Sequence, residues 1–360
     1  MESIIADKIQ NNDRISDEEA LWLLLHGDLM FLGEMASIRR KNKVGNKAFY
    51  QYNFNINHTT ICENKCNLCA FYDNENGYTL SVERIQNMVA QAYKQGVNEV
   101  HIVGGLNRDL PLSYFIDMCR AIKDIDQKIH IQAFTPVEID FFARIAGKSI
   151  PDVLSDLKEA GLGSLPGGGA EIFSPRVRSL ICPDKISGTK WLEIMADAHA
   201  MGILSNATML YGTVEKPEEI IDHLSRLRAV QDQTKGFCAF VPLAFFARNT
   251  KIQTSSISKE TSGVYDMRII SLGRIYLDNF DHVKCLWMIY GYKGCQVGLD
   301  FGADDIGGTY FDEIIVHSAG AKTPKSATQQ EICSLIRNMG REPVEVTSTY
   351  ELTTPIEVLI

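Results

Sequence analysis

Residues 53–105 decide the fold; they read NFNINHTTICENKCNLC at 53–69, SVERIQNMVAQAYKQG at 81–96 and EVHIVGG at 99–105. The first and last of these pieces hold short runs of apolar and β-branched residues, which are typical of buried strands. The middle piece repeats apolar residues at helical spacing. A strand, a helix and a second strand in this order predict parallel strands joined by a crossover.

The same alternation continues along most of the chain. It predicts further strands at IHIQAFT (129–135), LGSLPG (162–167), ILSNATMLYG (203–212), FCAFVPL (237–243) and HVKCLWM (282–288). Between them, helices are predicted over 112–125, 153–161, 189–202, 217–233 and 265–280. This pattern favours an α/β fold, a (β/α) TIM-type barrel rather than a doubly wound sheet.

Three segments are predicted. Residues 1–48 read as an N-terminal helical extension, with Ser16 as a helix cap. Residues 49–322 form the barrel, and 323–360 form an extension packed on it, with a helix and then the strand-like PVEVTSTY. No linker rich in Pro, Gly or Ser divides the chain, so one catalytic domain with additions is the economical reading.

Composition narrows the class of function. The 360 residues carry a formal net charge of −9, which argues against a protein that neutralises nucleic-acid phosphates. No apolar run is long enough to span a bilayer, and the N-terminus lacks the order of a secretory signal. We therefore expect a cytoplasmic protein whose nine cysteines are reduced thiols or metal ligands.

The strongest chemical signal is the loop Cys62-Glu-Asn-Lys-Cys66-Asn-Leu-Cys69, directly after the first predicted strand. Three thiolates on one loop can hold three corners of a [4Fe–4S] cluster and leave one iron open to a ligand. The alternative is a zinc site, for which His58 is the only nearby fourth ligand.

This C-x3-C-x2-C triad resembles the signature of the radical S-adenosylmethionine (SAM) superfamily. The resemblance implies that the open iron chelates the amino and carboxylate groups of SAM, whose sulfonium is cleaved reductively to a 5′-deoxyadenosyl radical. A barrel suits this chemistry because it encloses the radical away from water. The resemblance further implies these SAM-binding residues: Phe71, Tyr72, Gly104, Gly105, Glu171, Lys185 and Leu210. The alternatives are that Gly104 and Gly105 form only a tight turn, that Lys185 is a surface residue and that Leu210 belongs to the core.

Further segments resemble one branch of this superfamily, the aminodeoxyfutalosine synthases of the futalosine route to menaquinone. They include HIVGGLNRDLP, SLPGGGAEIFSPRVRSLICPDK, NATMLYGTVEKPEE and LGRIYLDNFDHVKCLW. The resemblance implies a transferase that consumes SAM as a co-substrate, adding the adenosyl radical to the vinyl group of 3-((1-carboxyvinyl)oxy)benzoate. Flavodoxin or ferredoxin is the implied electron donor. Sister enzymes, cyclic dehypoxanthine futalosine synthase or a deazaflavin-precursor synthase, are the alternative.

A substrate with two carboxylates and an aromatic ring calls for cations and polar groups in the pocket. The candidates are Arg176, Arg178, Asn206, Thr208, Arg274 and His101. For the arginines the alternative is a solvated helix start or a buried ion pair, and for the histidine a hydrogen-bonded core position. One departure from the family pattern is Arg248 in FFARNT, where a histidine followed by PENT is more usual.

Overall fold

Three helices precede the first strand in the structure, a computed structural model that describes residues 1–252, 260–311 and 314–353. They are α1 (Glu2–Gln10), α2 (Asp17–His26) and α3 (Leu29–Val44), followed by β1 (Lys47–Gln51). Ser16 caps α2 as predicted: its hydroxyl accepts from the Glu19 amide, and the Glu19 carboxylate accepts from the Ser16 amide. Within these ranges no helix has both the length and the apolar composition needed to cross a bilayer.

Seven parallel strands form the central sheet, hydrogen-bonded to one another in chain order. They are β2 (Asn53–Ile56), β3 (Glu99–Ile102), β4 (His130–Ala133), β5 (Ser164–Leu165), β6 (Leu204–Tyr211), β7 (Phe237–Ala244) and β8 (His282–Val283). Each lies inside a predicted strand segment, except that β7 runs one residue further to Ala244, so the predicted α/β fold with parallel strands is confirmed. The last strand is shorter than predicted.

Helices connect successive strands and cover the outside of the sheet. They are α4 (Val82–Lys94), α5 (Leu112–Lys123), α6 (Pro136–Ala146), α7 (Ile150–Glu159), α8 (Pro175–Ile181), α9 (Gly188–Ala200), α10 (Pro217–Thr234), α11 (Gly263–Tyr276) and α12 (Trp287–Asp300). Their apolar faces are buried, as with Ile85 and Val89 of α4. The sequence analysis did not predict α6, α8 or α12, of which α8 has only seven residues and α12 is kinked at Gly291.

A second, three-stranded sheet joins the two ends of the chain. It consists of β1, β9 (Asp305–Gly308) and β10 (Glu342–Glu345), in the order β10-β1-β9, with α13 (Ile315–Ser318) and α14 (Gln329–Arg337) between its last two strands. The segment 304–311 also bonds both edges of the large sheet. The Cys285 amide donates to the Asp305 carbonyl at 2.7 Å, and the Asn55 amide donates to the Phe311 carbonyl at 3.1 Å. Main-chain hydrogen bonds therefore link β8 to β2 through this segment.

The C-terminal residues cover the amino-terminal end of the strands. The Ser348 amide donates to the Glu99 carboxylate at 2.5 Å, and the Tyr350 hydroxyl donates to Asp305 at 2.7 Å. The opposite end, where the strands finish, is thereby left for a site. The division of the chain at 48 and 322 stays a prediction, and residues 354–360 of the expected C-terminal extension lie outside the described residues.

Candidate active site

A cavity of about 400 Å³ occupies the inside of the curled sheet and opens at the carboxyl ends of its strands. Most of the residues chosen from the sequence line it. They are Cys62, Cys66, Cys69, Phe71, Tyr72, His101, Gly104, Gly105, Glu171, Lys185, Asn206, Thr208 and Leu210. Residues that are far apart in the chain are thus brought to one place by the parallel topology.

The cysteine loop is held in shape by its own hydrogen bonds. The Cys62 amide donates to the Asn74 side chain at 2.9 Å, and that side chain donates back to the Cys62 carbonyl at 3.0 Å. The Cys69 amide donates to the Cys66 carbonyl at 3.1 Å, and the Phe71 amide donates to the Cys69 sulfur at 3.4 Å. An amide aimed at sulfur stabilises a thiolate, which is the form that binds iron.

The three thiols fit a cluster better than a single ion. None of the three is in a disulfide, and all three face the cavity. Within the described ranges, no three His, Cys, Asp or Glu side chains converge closely enough to share one metal ion. A zinc ion requires that convergence, whereas the corners of a [4Fe–4S] cluster lie further apart. His58, the fourth ligand of the zinc alternative, is buried against Phe115 and does not line the cavity.

Two glycines allow the loops to meet. A Cβ on Gly104 would lie 2.3 Å from the ring of His58, and one on Gly105 would lie 2.2 Å from the Ile61 carbonyl oxygen. Both positions therefore exclude a side chain because residues 58–62, which lead into the cysteine loop, pack directly against them. The amide of Gly105 is already bonded to the Thr59 carbonyl at 2.9 Å. Their expected contact with SAM stays a prediction.

Glu138, at the start of α6, ties this glycine turn to the next strand. Its Oε1 accepts from the Gly104 amide at 3.1 Å, and its Oε2 accepts from the Thr135 amide at 2.7 Å. Burial raises the pKa of Glu138 to about 7, although these hydrogen bonds favour the charged form.

Glu138→Gln is expected to destabilise the protein less at high pH than at low pH. The folded protein keeps this proton to a pKa of about 7, against 4.5 for an ordinary glutamate. The folded state therefore binds more protons than the unfolded chain in that window, and rising pH lowers the wild-type stability. Thermal unfolding midpoints of both proteins at about pH 5 and about pH 8 measure the effect. Glu193→Gln, at an exposed position on α9, is the matched control. Equal destabilisation by Glu138→Gln at the two pH values would contradict the prediction.

Glu171 and Lys185 form an ion pair at the cavity wall, with the Lys185 Nζ 2.6 Å from the Glu171 Oε1. Glu171 has a φ of 49°, a left-handed conformation that is uncommon for a residue with a side chain and is often kept at functional sites. Burial alone would lower the pKa of Lys185, but the charge of Glu171 outweighs it and raises that pKa. The pair presents a carboxylate and an ammonium to a ligand, which suits a diol and a carboxylate.

Arg178 does not line the cavity, contrary to expectation. Its guanidinium is buried and donates to the Ala170 carbonyl at 2.6 Å and the Ile186 carbonyl at 2.5 Å. These carbonyls flank Glu171 on one loop and Lys185 on the next. Because both Nη atoms of its guanidinium already donate to main-chain carbonyls, Arg178 positions the ion pair, and only its buried Nε is without a partner within the described residues.

The other two arginines are also outside the cavity. Arg176 is exposed and pairs with Glu219 on the molecular surface. Arg274 is fully buried on α11, where it pairs with Asp304 and donates to the Gly302 carbonyl at 2.8 Å. Both positions correct the expectation of a substrate contact, because each guanidinium already has its carboxylate.

Several lining residues were missed from the sequence. Asn53 and Asn55 of β2 and Asn57 just after it line the cavity, as do Gln132 of β4 and Lys284, which follows β8. A signal was present: polar residues recur at every second position of a strand that is otherwise apolar. In a parallel sheet covered by helices on one face, this alternation indicates that the other face lines a polar interior.

The interior is rich in polar groups without protein partners. Side-chain atoms of Asn55, Gln132 and Asn206 are buried and form no hydrogen bond within the described ranges. His101 Nδ1 lies 2.8 Å from the Gln132 oxygen, and the Thr208 hydroxyl donates to the Gly167 carbonyl at 2.6 Å. Unpaired buried amides are destabilising, so their retention at a cavity indicates a ligand that bonds them.

Glu99 adds a carboxyl group beneath these amides. It is almost completely buried, and one of its oxygens has no partner within the described ranges. Burial raises its pKa to about 7. The interior therefore combines carboxamides with a carboxyl group that can hold a proton near neutral pH.

Comparison with known proteins agrees with this architecture. A model of the Radical SAM superfamily matches residues 56–227, and one of the CofH/MqnC C-terminal region matches residues 234–358. An aminodeoxyfutalosine synthase of Thermus thermophilus is 40% identical over 96% of this chain and 94% of its own. A 5-amino-6-(D-ribitylamino)uracil--L-tyrosine 4-hydroxyphenyl transferase of Methanopyrus kandleri is 38% identical over 88% of this chain and 86% of its own. The crystal structure of methylornithine synthase has a TM-score of 0.73 at 18% identity, covering 94% of this chain and 97% of that one.

Proposed function

The chain belongs to the radical SAM superfamily, in its CofH/MqnC branch, and on this premise we propose that it is a transferase of menaquinone biosynthesis. Its substrates would be SAM and 3-((1-carboxyvinyl)oxy)benzoate, and its product 6-amino-6-deoxyfutalosine. The observation that carries the proposal is the 40% identity to an aminodeoxyfutalosine synthase over nearly the whole of both chains. We further propose that the protein is cytoplasmic and that a flavodoxin or ferredoxin is its electron donor.

The proposed reaction uses the adenosyl group as a building block. Cys62, Cys66 and Cys69 would hold the [4Fe–4S] cluster, which when bound supplies the electron that cleaves SAM to methionine and the 5′-deoxyadenosyl radical. The radical forms a carbon–carbon bond with the vinyl carbon, and the new radical attacks the ring carbon that bears the ether oxygen. The aryl group migrates to carbon as its bond to oxygen breaks. Carbon dioxide then leaves with the return of one electron, so no electron is consumed overall.

The chain's own residues would bind the reactants and exclude water. Glu171 and Lys185 would bind the ribose diol and the carboxylate of SAM, and Leu210 and Phe71 would contact the adenine. Apolar side chains at the opening, including Phe245 and Met288, would shield the radical from water. Asn206, Thr208 and His101 lie deeper, where they would meet the second substrate.

A second candidate function is the transfer catalysed by the Methanopyrus relative, in which the adenosyl radical would abstract hydrogen. The 38% identity to that enzyme favours it, and so does the set of carboxamides in the cavity. Amides both donate and accept hydrogen bonds, as an aminouracil ring requires. The two candidates differ in the fate of the adenosyl group.

Product analysis separates the two candidates. Cluster-reconstituted protein would be incubated anaerobically with SAM, a reductant and 3-((1-carboxyvinyl)oxy)benzoate, and in parallel with L-tyrosine and 5-amino-6-(D-ribitylamino)uracil. We expect a product from the first mixture whose mass includes the whole adenosyl group. Free 5′-deoxyadenosine as the main product of SAM, formed only in the second mixture, would replace our proposal with the second candidate.

A further inference from the structure

The closed end of the cavity holds hydrogen-bond donors that are free to bind a ligand. It lies between β2, β3 and β4, where Asn55, His101 and Gln132 form one register row across the three strands and line the cavity. The C-terminal residues close this end from below, since the Ser348 amide donates to Glu99 at 2.5 Å. Hydrogen bonds formed here are shielded from water and are therefore stronger than at the surface.

Gln132 presents the first of these donors. Its side-chain oxygen lies 2.8 Å from His101 Nδ1, and its Nε2 is buried without a partner within the described residues. Burial lowers the pKa of His101, so the ring is neutral, and Nδ1 carries the hydrogen because a carboxamide oxygen can only accept. The histidine thus positions Gln132 with its amide N–H groups free. Among the described residues that line the cavity, Gln132 has the one buried side-chain nitrogen without a partner.

Lys284 supplies a cation to the same end. Its Nζ donates to Gln51 Oε1 at 2.9 Å and lies 3.1 Å from Asp305 Oδ2, so these acceptors use two of the three N–H bonds of the ammonium group. Of this ion pair only Lys284 lines the cavity. Burial has the largest effect on the pKa of Glu99 and of His101, and the charge of Lys284 acts on both. The ammonium group therefore lies near both side chains.

Glu99 supplies a third donor when it is protonated. One of its oxygens accepts from the main chain, whereas Oε1 is buried without a partner within the described residues. Burial raises the pKa of Glu99 to about 7, while the charge of Lys284 lowers it and that of Asp305 raises it. His101 and His130, the latter opposite Glu99 on β4, stay neutral because burial lowers the pKa of each. A carboxylate bound here would raise the pKa of Glu99 further, so the side chain would keep its proton and donate it.

We propose that Gln132, Lys284 and Glu99 bind the ring carboxylate of the benzoate substrate at the closed end of the cavity. The inference rests on the proposed function. The enolpyruvyl carboxylate is attached to the vinyl group, which must lie beside the 5′-carbon of SAM near the cysteine loop. The ring carboxylate, at the far end of the molecule, then points toward the amino-terminal end of the strands, where Glu99 begins β3. The unpaired oxygen of Asn55 is separated from Gln132 by His101 in the row.

A comparison of two ligands tests this. The diacid and 2-phenoxyacrylate, which lacks the ring carboxyl group, would be bound to reconstituted enzyme with SAM and without reductant, and each Kd measured by equilibrium dialysis. Gln132→Leu is expected to raise the Kd of the diacid about tenfold, as loss of a charge-assisted hydrogen bond does. Lys284→Met/Asp305→Asn, which removes the lysine without leaving its buried partner charged, should raise it at least as much. Neither variant should change the Kd of 2-phenoxyacrylate.

Matched controls separate the site from general effects of substitution. Gln91→Leu on α4 and Lys41→Met on α3 change the same residue types at exposed positions outside the cavity. Both should leave both Kd values unchanged. Iron content and thermal midpoint equal to wild type confirm that each variant is folded. If the double variant does not fold, Gln132→Leu and the pH dependence of binding decide.

The pH dependence measures the role of Glu99. Wild type should bind the diacid about tenfold more weakly at about pH 8 than at about pH 6, because Glu99 loses its proton with a pKa of about 7 in the free protein. Glu99→Gln keeps a donor that does not titrate, so it should bind the diacid equally at the two pH values. Wild type should bind 2-phenoxyacrylate equally at both.

The outcomes are distinct. An unchanged Kd for the diacid in the variants, or an equal loss for the diacid and 2-phenoxyacrylate, would overturn the inference while leaving the proposed function intact. The expected pattern of binding combined with no adenosyl-containing product from wild type would refute the proposed function but retain the carboxylate site. Wild-type protein that neither binds nor converts the diacid would refute both.

Discussion

Replacing Cys66 with alanine is expected to abolish cluster binding and, with it, all cleavage of SAM. The residue is buried at the base of the loop, and its carbonyl accepts from the Cys69 amide. Among the described residues, the cavity is lined by no thiol other than those of Cys62, Cys66 and Cys69. No fourth thiol is therefore placed to replace the lost corner. Iron and sulfide content, the visible absorption of the cluster and formation of 5′-deoxyadenosine measure the loss.

Cys182→Ala is the matched control for this prediction. Cys182 is a buried thiol next to Ile181, whose carbonyl accepts from the Leu68 amide of the cysteine loop, yet it does not line the cavity. The control should therefore keep its iron and its activity. A Cys66→Ala protein with full activity would refute the ligand assignment, and loss of iron in Cys182→Ala would show that this thiol belongs to the site.

Replacing Arg274 with methionine is expected to lower the free energy of unfolding by about 3–5 kcal/mol, because it leaves a buried carboxylate without its counter-ion. Arg274 and Asp304 are both fully buried. Burial alone would raise the pKa of Asp304, but the charge of Arg274, together with His282 and the Val283 amide, outweighs it and lowers that pKa. Without the arginine the buried carboxylate keeps only its contacts with the His282 ring and the Val283 amide, and it must stay charged with this weaker support or take up a proton.

The double variant Arg274→Met/Asp304→Asn separates the lost charge from the lost packing. Removing the stranded charge should restore part of the stability, so the double variant should unfold at a higher temperature than Arg274→Met alone. Thermal or urea unfolding measures both. If Arg274→Met instead unfolded at the wild-type temperature but bound 3-((1-carboxyvinyl)oxy)benzoate weakly, Arg274 would be assigned to the substrate site after all.

The contacts of the arginines could not be predicted from the sequence. Spacing placed Arg176 and Arg178 after the fourth predicted strand, at the rim where Glu171 also lies. Spacing did not indicate which acceptors each guanidinium contacts. Arg176 pairs with Glu219 of α10, and Arg178 donates to loop carbonyls. Such partners come from distant parts of the chain, so neighbouring residues carry no sign of them.

The polar interior shows a signal that was present but not used. The alternation of Asn53, Asn55 and Asn57 identifies one face of β2 as polar, since successive side chains point to opposite faces. Gln132 and Lys284 show only a shorter form of this alternation, each following a histidine by two residues (His130 and His282), and the closure of the sheet aims them at the same space.

From the sequence alone follow the parallel α/β fold, the cysteine loop and its place at the carboxyl end of the first barrel strand, because these depend on local periodicity and on short spacing. The tertiary structure alone decided which charges are free. It paired Lys185 with Glu171, Lys284 with Asp305 and Arg274 with Asp304. The physical reason is that electrostatic partnership depends on distance in space and on burial, and neither is encoded in the order of nearby residues.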